Sequence, residues 1–143
     1  MRKGWVLGIG LVGIASWLAM PAAHAAVTTQ KATMTGSEEK PGPGDPDGKG
    51  TAVIKLDDAD NTVCYELTWD GIGQPTAAHI HTGAPGVAGP PAVTLDISKG
   101  GTGCVKTDPS TLASLRDDPG GHYVNIHTDE FKKGAIRGQL AAG

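Results

Sequence analysis

Two histidines separated by one residue, His79 and His81, have the types and spacing needed for metal chemistry. They lie in the segment "AAHIHT", where they alternate with Ala78 and Ile80. On a β-strand, residues two apart point to the same face. If this segment is a strand, both imidazoles share one face, and the apolar residues occupy the other. Because neutral imidazole is a preferred ligand of copper and zinc, the pair is a candidate for part of a metal site.

A third histidine follows the same pattern in the segment "YVNIHT". There Val124 and Ile126 would face the core. Tyr123, Asn125 and His127 would then share the opposite face. A His-x-His pair on one strand with a third histidine from another is a common arrangement for binding copper or zinc. If the two strands are neighbours, the three histidines form one metal site, for which copper is favoured and zinc is the alternative.

The same histidines also have a purely structural interpretation. The segment that follows the first pair, "TGAPGVAGPP" at residues 82–91, has many backbone groups that need hydrogen-bond partners. Histidines at the ends of strands often supply such partners. In this case the protein would be a non-catalytic extracellular binding or adhesion module whose loops carry the recognition. The residue pattern alone leaves both interpretations open.

A fourth histidine, His122, follows two glycines at the start of the segment "HYVNIHT". Two consecutive glycines are typical of a loop. We therefore expect His122 to be an exposed loop residue that takes no part in the site.

The first 25 residues have the features of a secretory signal peptide. Arg2 and Lys3 precede an apolar run, and "AHA" ending at Ala25 places small residues at the cleavage positions. We predict cleavage after Ala25 and a single domain over residues 26–143, located in the periplasm or secreted. After cleavage, ten basic residues face fifteen acidic ones, a net charge of −5. This balance argues against nucleic acid or an anionic membrane as the partner.

Export gives the two cysteines, Cys64 and Cys104, a particular meaning. Thiols are oxidised outside the cytoplasm, so we predict one disulfide between them. It would close a loop of about 40 residues and stabilise the fold by about 3–4 kcal/mol on a chain-entropy estimate. A thiolate metal site is the alternative, but neither cysteine has the closely spaced partner that such sites use.

Short segments with period-two alternation, separated by glycine and proline, indicate the fold. Among them are "TAVIKL", "TVCYELTW", "PAVTLDI", "HYVNIHT" and "AIRGQL". Such segments are typical of antiparallel strands with one buried face. In "DPSTLASLRDD", by contrast, Asp108 can cap a short helix whose first residue is Pro109. The sequence therefore predicts an all-β antiparallel sandwich or barrel of seven or eight strands with one short helix.

Arg137 lies between Ile136 and Gly138 in the last of these segments, on the face opposite the apolar residues. Its guanidinium could form a charge-assisted pair with Glu38 or Glu39 near the opening turn. Such a pair would tie the two ends of the fold together. We predict this structural role for Arg137, in preference to ligand binding.

Two longer segments resemble the CHRD domain, a module named after chordin and found in many exported bacterial proteins. They are "AAHIHTGAPGVAGPPAV", at residues 77–93, and "GGHYVNIHTDEFKKGAIRGQL", at residues 120–140. The opening "TMTGSEEKPGPGDPDGKGTAVIKL" also resembles the start of that domain, and the resemblance spans roughly residues 30–140. It implies a β-sandwich or barrel of immunoglobulin-like or superoxide-dismutase-like shape, and it implies no settled activity.

The resemblance places the characteristic positions of the family on His79, His81, Asn125, His127 and Thr128, which strengthens the prediction of a metal site. Asn125 and Thr128 would then support the three ligands. A complete copper–zinc dismutase site needs more histidines than the four that remain after signal cleavage. We therefore expect a binding protein and no catalytic activity. Its partners would be a metal ion and, at an open coordination position, another protein or a second copy of the chain.

Overall fold

The structure is a computed structural model, and it describes Gly4 and residues 26–143. The described residues contain nine β-strands and one α-helix. Apart from Gly4, the predicted signal peptide lies outside these residues. The strands are β1 (Val27–Thr35), β2 (Lys49–Asp57), β3 (Thr62–Asp70), β4 (Pro75–Thr82), β5 (Pro91–Leu95), β6 (Thr102–Lys106), β7 (His122–Thr128), β8 (Ile136–Gln139) and β9 (Ala141–Ala142). The helix α1 covers Pro109–Asp117, and 3₁₀ turns cover Gly36–Glu38 and Pro119–Gly121.

The strands form one antiparallel sheet in the order β5-β4-β7-β8-β1-β2-β3-β6, and β9 pairs with β1. The two end strands, β5 and β6, approach each other, so the sheet curls into a nearly closed barrel. The predicted all-β antiparallel fold with one short helix is confirmed. The eight strands of the continuous path agree with the seven or eight expected, and the two-residue strand β9 is an addition.

The apolar residues of β1 to β5, β7 and β8 fill the interior of the barrel, as the alternation predicts, and Val105 of β6 packs against them. The most deeply buried among them are Met34, Ile54, Leu56, Val63, Ala78, Ile80, Val124, Ile126 and Ile136. Helix α1 adds Leu112 and Leu115 to this core. Burying each of the larger side chains contributes about 1.5–3 kcal/mol. Because the apolar set occupies the inside, the alternate residues of β4 and β7 lie on the outer face of the barrel.

The predicted disulfide joins Cys64 on β3 to Cys104 on β6. These two residues face each other in the strand register, with their Cα atoms 3.9 Å apart. Since β6 is the five-residue strand at one end of the sheet path, the bond fastens that edge of the sheet covalently to its neighbour.

The two histidine strands, β4 and β7, are hydrogen-bonded neighbours. Their register sets Ala77 opposite His127, His79 opposite Asn125 and His81 opposite Tyr123. The condition for a shared site, that these strands be adjacent, is therefore met.

Candidate metal centre

The three predicted ligands come together on the outer face of β4 and β7. Each can offer one nitrogen such that all three nitrogens lie within 4.8 Å of one another. The closest pair is His79 Nδ1 and His127 Nε2, 3.1 Å apart. Metal–nitrogen bonds of about 2.0–2.1 Å place the nitrogens of a tetrahedral or trigonal site about 3.3–3.6 Å apart. Small side-chain rotations would thus bring all three imidazoles of His79, His81 and His127 onto one ion.

Backbone carbonyls fix the orientation of two of the rings. His81 Nδ1 lies 2.8 Å from the carbonyl oxygen of Gly89, and His127 Nδ1 lies 3.0 Å from that of Lys132. A carbonyl oxygen can only accept, so each Nδ1 carries a hydrogen and donates it. Each Nε2 then carries a lone pair and no hydrogen. Histidines that bind metals typically make this hydrogen bond through the nitrogen that does not face the ion.

His81 Nε2 is buried and, among the residues described, has no hydrogen-bond partner. A buried polar atom left without a partner costs about 1–3 kcal/mol. A bound ion would remove this cost. His127 Nε2, in contrast, accepts a hydrogen bond from His79 Nδ1, which an ion would replace. The metal-free cluster thus has one lone pair already free and one that metal binding must release.

Burial keeps two of the rings in the neutral form that metal binding requires. It lowers the pKa of His79, and the nearby charges of protonated His127 and His81 lower it further. Burial also lowers the pKa of His127, although the hydrogen bond to the Lys132 carbonyl acts in the opposite direction. Both shifts favour the neutral imidazole.

Tyr123 supports the cluster, and the sequence analysis did not assign it a role. Its ring stacks on that of His81 with centroids 4.8 Å apart and planes 7° from parallel. Its hydroxyl oxygen accepts a hydrogen bond from the Gly89 amide at 3.1 Å. Tyr123 shares the outward face of Asn125 and His127 by the same alternation, and this signal identifies it as a neighbour of the site.

Arg137 does not form the predicted ion pair with Glu38 or Glu39. Its guanidinium donates instead to the carbonyl oxygens of Val87, at 2.7 Å, and Ala84, at 3.0 Å. The prediction was wrong because the chain after β4 folds back over β8 and brings these carbonyls directly to the guanidinium. Glu38 is exposed, and Glu39 interacts with Arg137 only through its charge.

Arg137 also contacts the support of the cluster. Its guanidinium carbon lies 3.4 Å from the centre of the Tyr123 ring, a cation–π contact. Since β7 lies between β4 and β8, the order of the stack is His81, Tyr123, Arg137.

Gln139 completes the attachment of the segment that follows β4, which we call the site loop, residues 83–90. The side-chain amide of Gln139 donates to the carbonyl oxygens of Gly83 and Gly120, both at 2.7 Å. The sequence analysis missed Gln139, which lies on the same face of β8 as Arg137, two residues further on. Together these side chains hold the site loop against the outer face of the barrel.

Glu39 and Asn125 are buried close to the cluster, with 4% and 2% of their surface exposed. Burial raises the pKa of Glu39 to about 7, although the charge of Arg137 and hydrogen bonds from the Lys40 amide and Asn125 lower it. Glu39 Oε1 and Asn125 Oδ1 are both buried acceptors without a partner among the residues described. A proton on Glu39 would supply a donor in this acceptor-rich region.

Thr128 and His122 have structural roles on β7. Thr128 Oγ1 accepts a hydrogen bond from the Phe131 amide at 3.1 Å, in the turn that leads to the Lys132 carbonyl. His122 is only 2% exposed, so the expectation of an exposed loop residue was wrong. Its Nδ1 donates to the Asp118 carbonyl at 2.8 Å, because it begins β7 directly after a 3₁₀ turn.

The fold and the cluster define a small, disulfide-linked β-barrel with an outward-facing histidine site, compatible with a binding module. The family model of the CHRD domain matches residues 30–140. The chain therefore belongs to the CHRD domain family, as the resemblance predicted. No curated protein and no solved structure matches the chain. Within the described residues, no helix has the length and apolar character needed to cross a membrane.

Proposed function

We propose that this protein is an exported, non-catalytic binding module that holds a transition-metal ion through His79, His81 and His127. The convergence of three imidazole nitrogens within 4.8 Å on two neighbouring strands carries the proposal. The carbonyls that orient two of the rings fit the proposal, because metal-binding histidines typically donate their other ring N–H to such an acceptor.

The nature of the donors favours copper, with zinc as the alternative. Imidazole nitrogen suits both ions, whereas calcium and magnesium prefer oxygen ligands. Divalent copper also binds a given nitrogen site more tightly than zinc does. The thiols of Cys64 and Cys104 are unavailable as ligands because they form the disulfide.

The proposed location is the periplasm or the exterior. The signal-like segment at residues 1–25 and the disulfide both support export, because stable disulfides form in oxidising compartments. In such a compartment, the role of the protein would be copper storage, delivery or tolerance. Three imidazoles leave a coordination position that water, a second copy or a partner protein could fill.

Metal titration of the purified protein tests the proposal. Cu(I), Cu(II) and Zn(II) are added separately, and affinity and unfolding free energy are measured. A specific ion at 100 times its dissociation constant should stabilise the protein by about 2.7 kcal/mol. Replacing all three histidines by alanine should abolish this gain. The proposal is rejected if the triple variant binds as tightly as the parent.

A matched control is available on the neighbouring strand. Thr94 on β5 is exposed and lies opposite His79 in the register. The variant Thr94→Ala changes the same surface without removing a ligand, so its metal affinity should equal that of the parent.

One observation favours a second candidate function, a non-catalytic binding or adhesion module without metal. The site loop is held by buried Arg137, yet its Val87 side chain is 50% exposed. A rigid loop with an exposed apolar residue is suited to contact a partner protein. Unchanged stability with every metal tested would favour this candidate.

A further inference from the structure

We infer that the three-histidine site selects a monovalent ion over divalent ones, and therefore takes Cu(I) in preference to Cu(II) and Zn(II). This inference rests on the proposed function, that these histidines hold a metal. The proposed function does not specify the charge of the ion, because three imidazoles can bind monovalent and divalent ions. The inference specifies that charge.

The ligands themselves carry no negative charge. Within the described residues, the cluster of candidate ligands contains no carboxylate and no thiolate. The bound complex would therefore retain the whole charge of the ion. All three histidines are half-buried. Removing charge from water is costly, and the cost grows steeply from one charge to two.

A positive charge lies behind the cluster and adds to this cost. The guanidinium of Arg137 packs on Tyr123, whose ring in turn stacks on His81. One phenol ring and one imidazole thus separate the guanidinium from the site. Arg137 is only 1% exposed, so solvent and salt screen its charge weakly.

This charge is poorly compensated. Arg137 has no ion-pair partner in the part of the chain that the structure describes. Its hydrogen bonds go to two backbone carbonyls and to the neutral side chain of Gln139. Glu39, whose charge acts on Arg137, has a pKa raised to about 7 and is only partly ionised at neutral pH.

The expected size of the effect follows from the separation. At roughly 10 Å and an effective dielectric constant of about 20, each unit of positive charge on the ion lowers its affinity by about tenfold. A divalent ion thus loses about tenfold more than a monovalent one. A divalent ion can complete its coordination with water, as zinc does in three-histidine sites, so the expected selectivity rests on charge.

The selectivity is measured on the protein expressed as the full chain and purified after export. Under anaerobic conditions, Cu(I) is titrated in competition with bicinchoninate, and Zn(II) and Cu(II) are titrated against chelators of known affinity. We expect a dissociation constant for Cu(I) at least tenfold below those for Zn(II) and Cu(II). Divalent binding as tight as that of Cu(I), and lost in the triple histidine variant, would overturn the inference and leave the proposed function standing.

A pair of variants tests whether Arg137 is the cause. Arg137→Met and Arg137→Lys both remove the guanidinium contacts with the site loop, but only the first removes the charge. The methionine variant should gain about tenfold more affinity for Zn(II) than for Cu(I), and the lysine variant should keep the parent's selectivity. Equal selectivity in the two variants would exclude the charge as the cause. If neither variant folds, the selectivity of the parent protein decides the inference.

Absence of all metal binding has a different meaning. The proposed function would be overturned if the parent protein binds none of Cu(I), Cu(II) and Zn(II). It would also be overturned if the triple histidine variant binds these ions as tightly as the parent does. The inference would then fail with it. The comparison of the parent with the triple variant therefore distinguishes the two failures.

Discussion

His127 is the candidate ligand with the fewest structural contacts. It is half-buried, and its two hydrogen bonds join His79 and the Lys132 carbonyl. Each such bond contributes about 0.5–1.5 kcal/mol. His81, in contrast, also stacks on Tyr123 and binds the Gly89 carbonyl, so its removal disturbs the site loop as well.

His127→Ala should therefore separate binding from folding. We expect the metal-free variant to lose about 1–2 kcal/mol of stability and to lose the stabilisation by added metal almost completely. Denaturant unfolding with and without the metal measures both. Stabilisation of the variant by metal equal to that of the parent would show that His127 is not a ligand.

Glu39 makes the stability depend on pH. Burial raises its pKa from 4.5 to about 7 in the folded state, so folding favours the protonated form. This contribution is fully present below pH 4.5 and is lost as the pH rises through 7. Between pH 4 and pH 8, the resulting loss is about 3 kcal/mol.

Glu39→Gln should remove that loss. The stability of the parent relative to the variant is expected to fall as the pH rises from 5 to 8, and denaturation midpoints at the two values measure it. Taking the difference cancels the titration of the histidines, which is common to both proteins. A constant difference across this range would contradict a raised pKa at Glu39.

At this scale the sequence predicted the outward-facing side chains well and their partners poorly. Period-two alternation was sufficient to place His79 and His81 on the outward face of one strand and His127 on that of another, because it depends on local geometry alone. The partner of Arg137 depends on the path of the site loop, which no local pattern encodes. The sequence therefore suggested a nearby glutamate as the partner of Arg137, whereas the loop brings two backbone carbonyls closer to the guanidinium.

The site loop is the element that connects the histidine cluster to the rest of the surface. The hydrogen bond from His81 Nδ1 to the Gly89 carbonyl crosses from β4 to this loop. A metal on His81 Nε2 would keep the hydrogen on Nδ1 and restrict the rotation of the ring. Metal binding at the cluster is thereby linked to order in residues 83–90.

We expect the metal to slow hydrogen exchange in the site loop. The Gly89 amide, which donates to the Tyr123 hydroxyl, should gain protection when the site is filled. The Ala59 amide lies in the turn between β2 and β3 and donates to the Asp57 side chain, so it should exchange at an unchanged rate. Equal effects on both amides would indicate general stabilisation without a specific link to the loop.

The elements with simple periodicity were predicted correctly. Helix α1 begins at Pro109 as expected and buries Leu112 and Leu115, but the predicted cap is absent because the Asp108 side chain makes no capping hydrogen bond. Strand β9 escaped prediction because two residues are too few to show alternation. The glycines before β7 indicated a loop with an exposed His122. They belong instead to a 3₁₀ turn, and His122, which follows it, is buried.

For the molecule as a whole, the disulfide should matter for stability and little for the site. It joins β3 to β6, whereas the histidines lie on β4 and β7. Replacing Cys64 and Cys104 together by alanine should cost about 3–4 kcal/mol, since the bond closes a long loop. Metal affinity of the folded variant should change less than twofold. Metal affinity lost without loss of folding would contradict this separation.

The strand order is the property of the whole molecule that local patterns could not supply. Alternation predicted an all-β antiparallel fold, but any strand could have been the neighbour of β4. Its pairing with β7 joins residues at least 40 positions apart in the chain. The spacing of the histidines only allowed a shared site. The resemblance to the CHRD domain, which covers nearly all of the described chain, was the further reason to predict one.

This long-range pairing has a consequence for the life of the protein in the cell. The chain segments bearing His79 and His127 meet only when β4 pairs with β7, so an extended chain offers at most an isolated His-x-His pair. If the protein crosses the membrane before it folds, it crosses without cargo. Under the proposed function, any ion bound at the site would then come from the destination compartment, and the loaded fraction would depend on how much of that ion is available there.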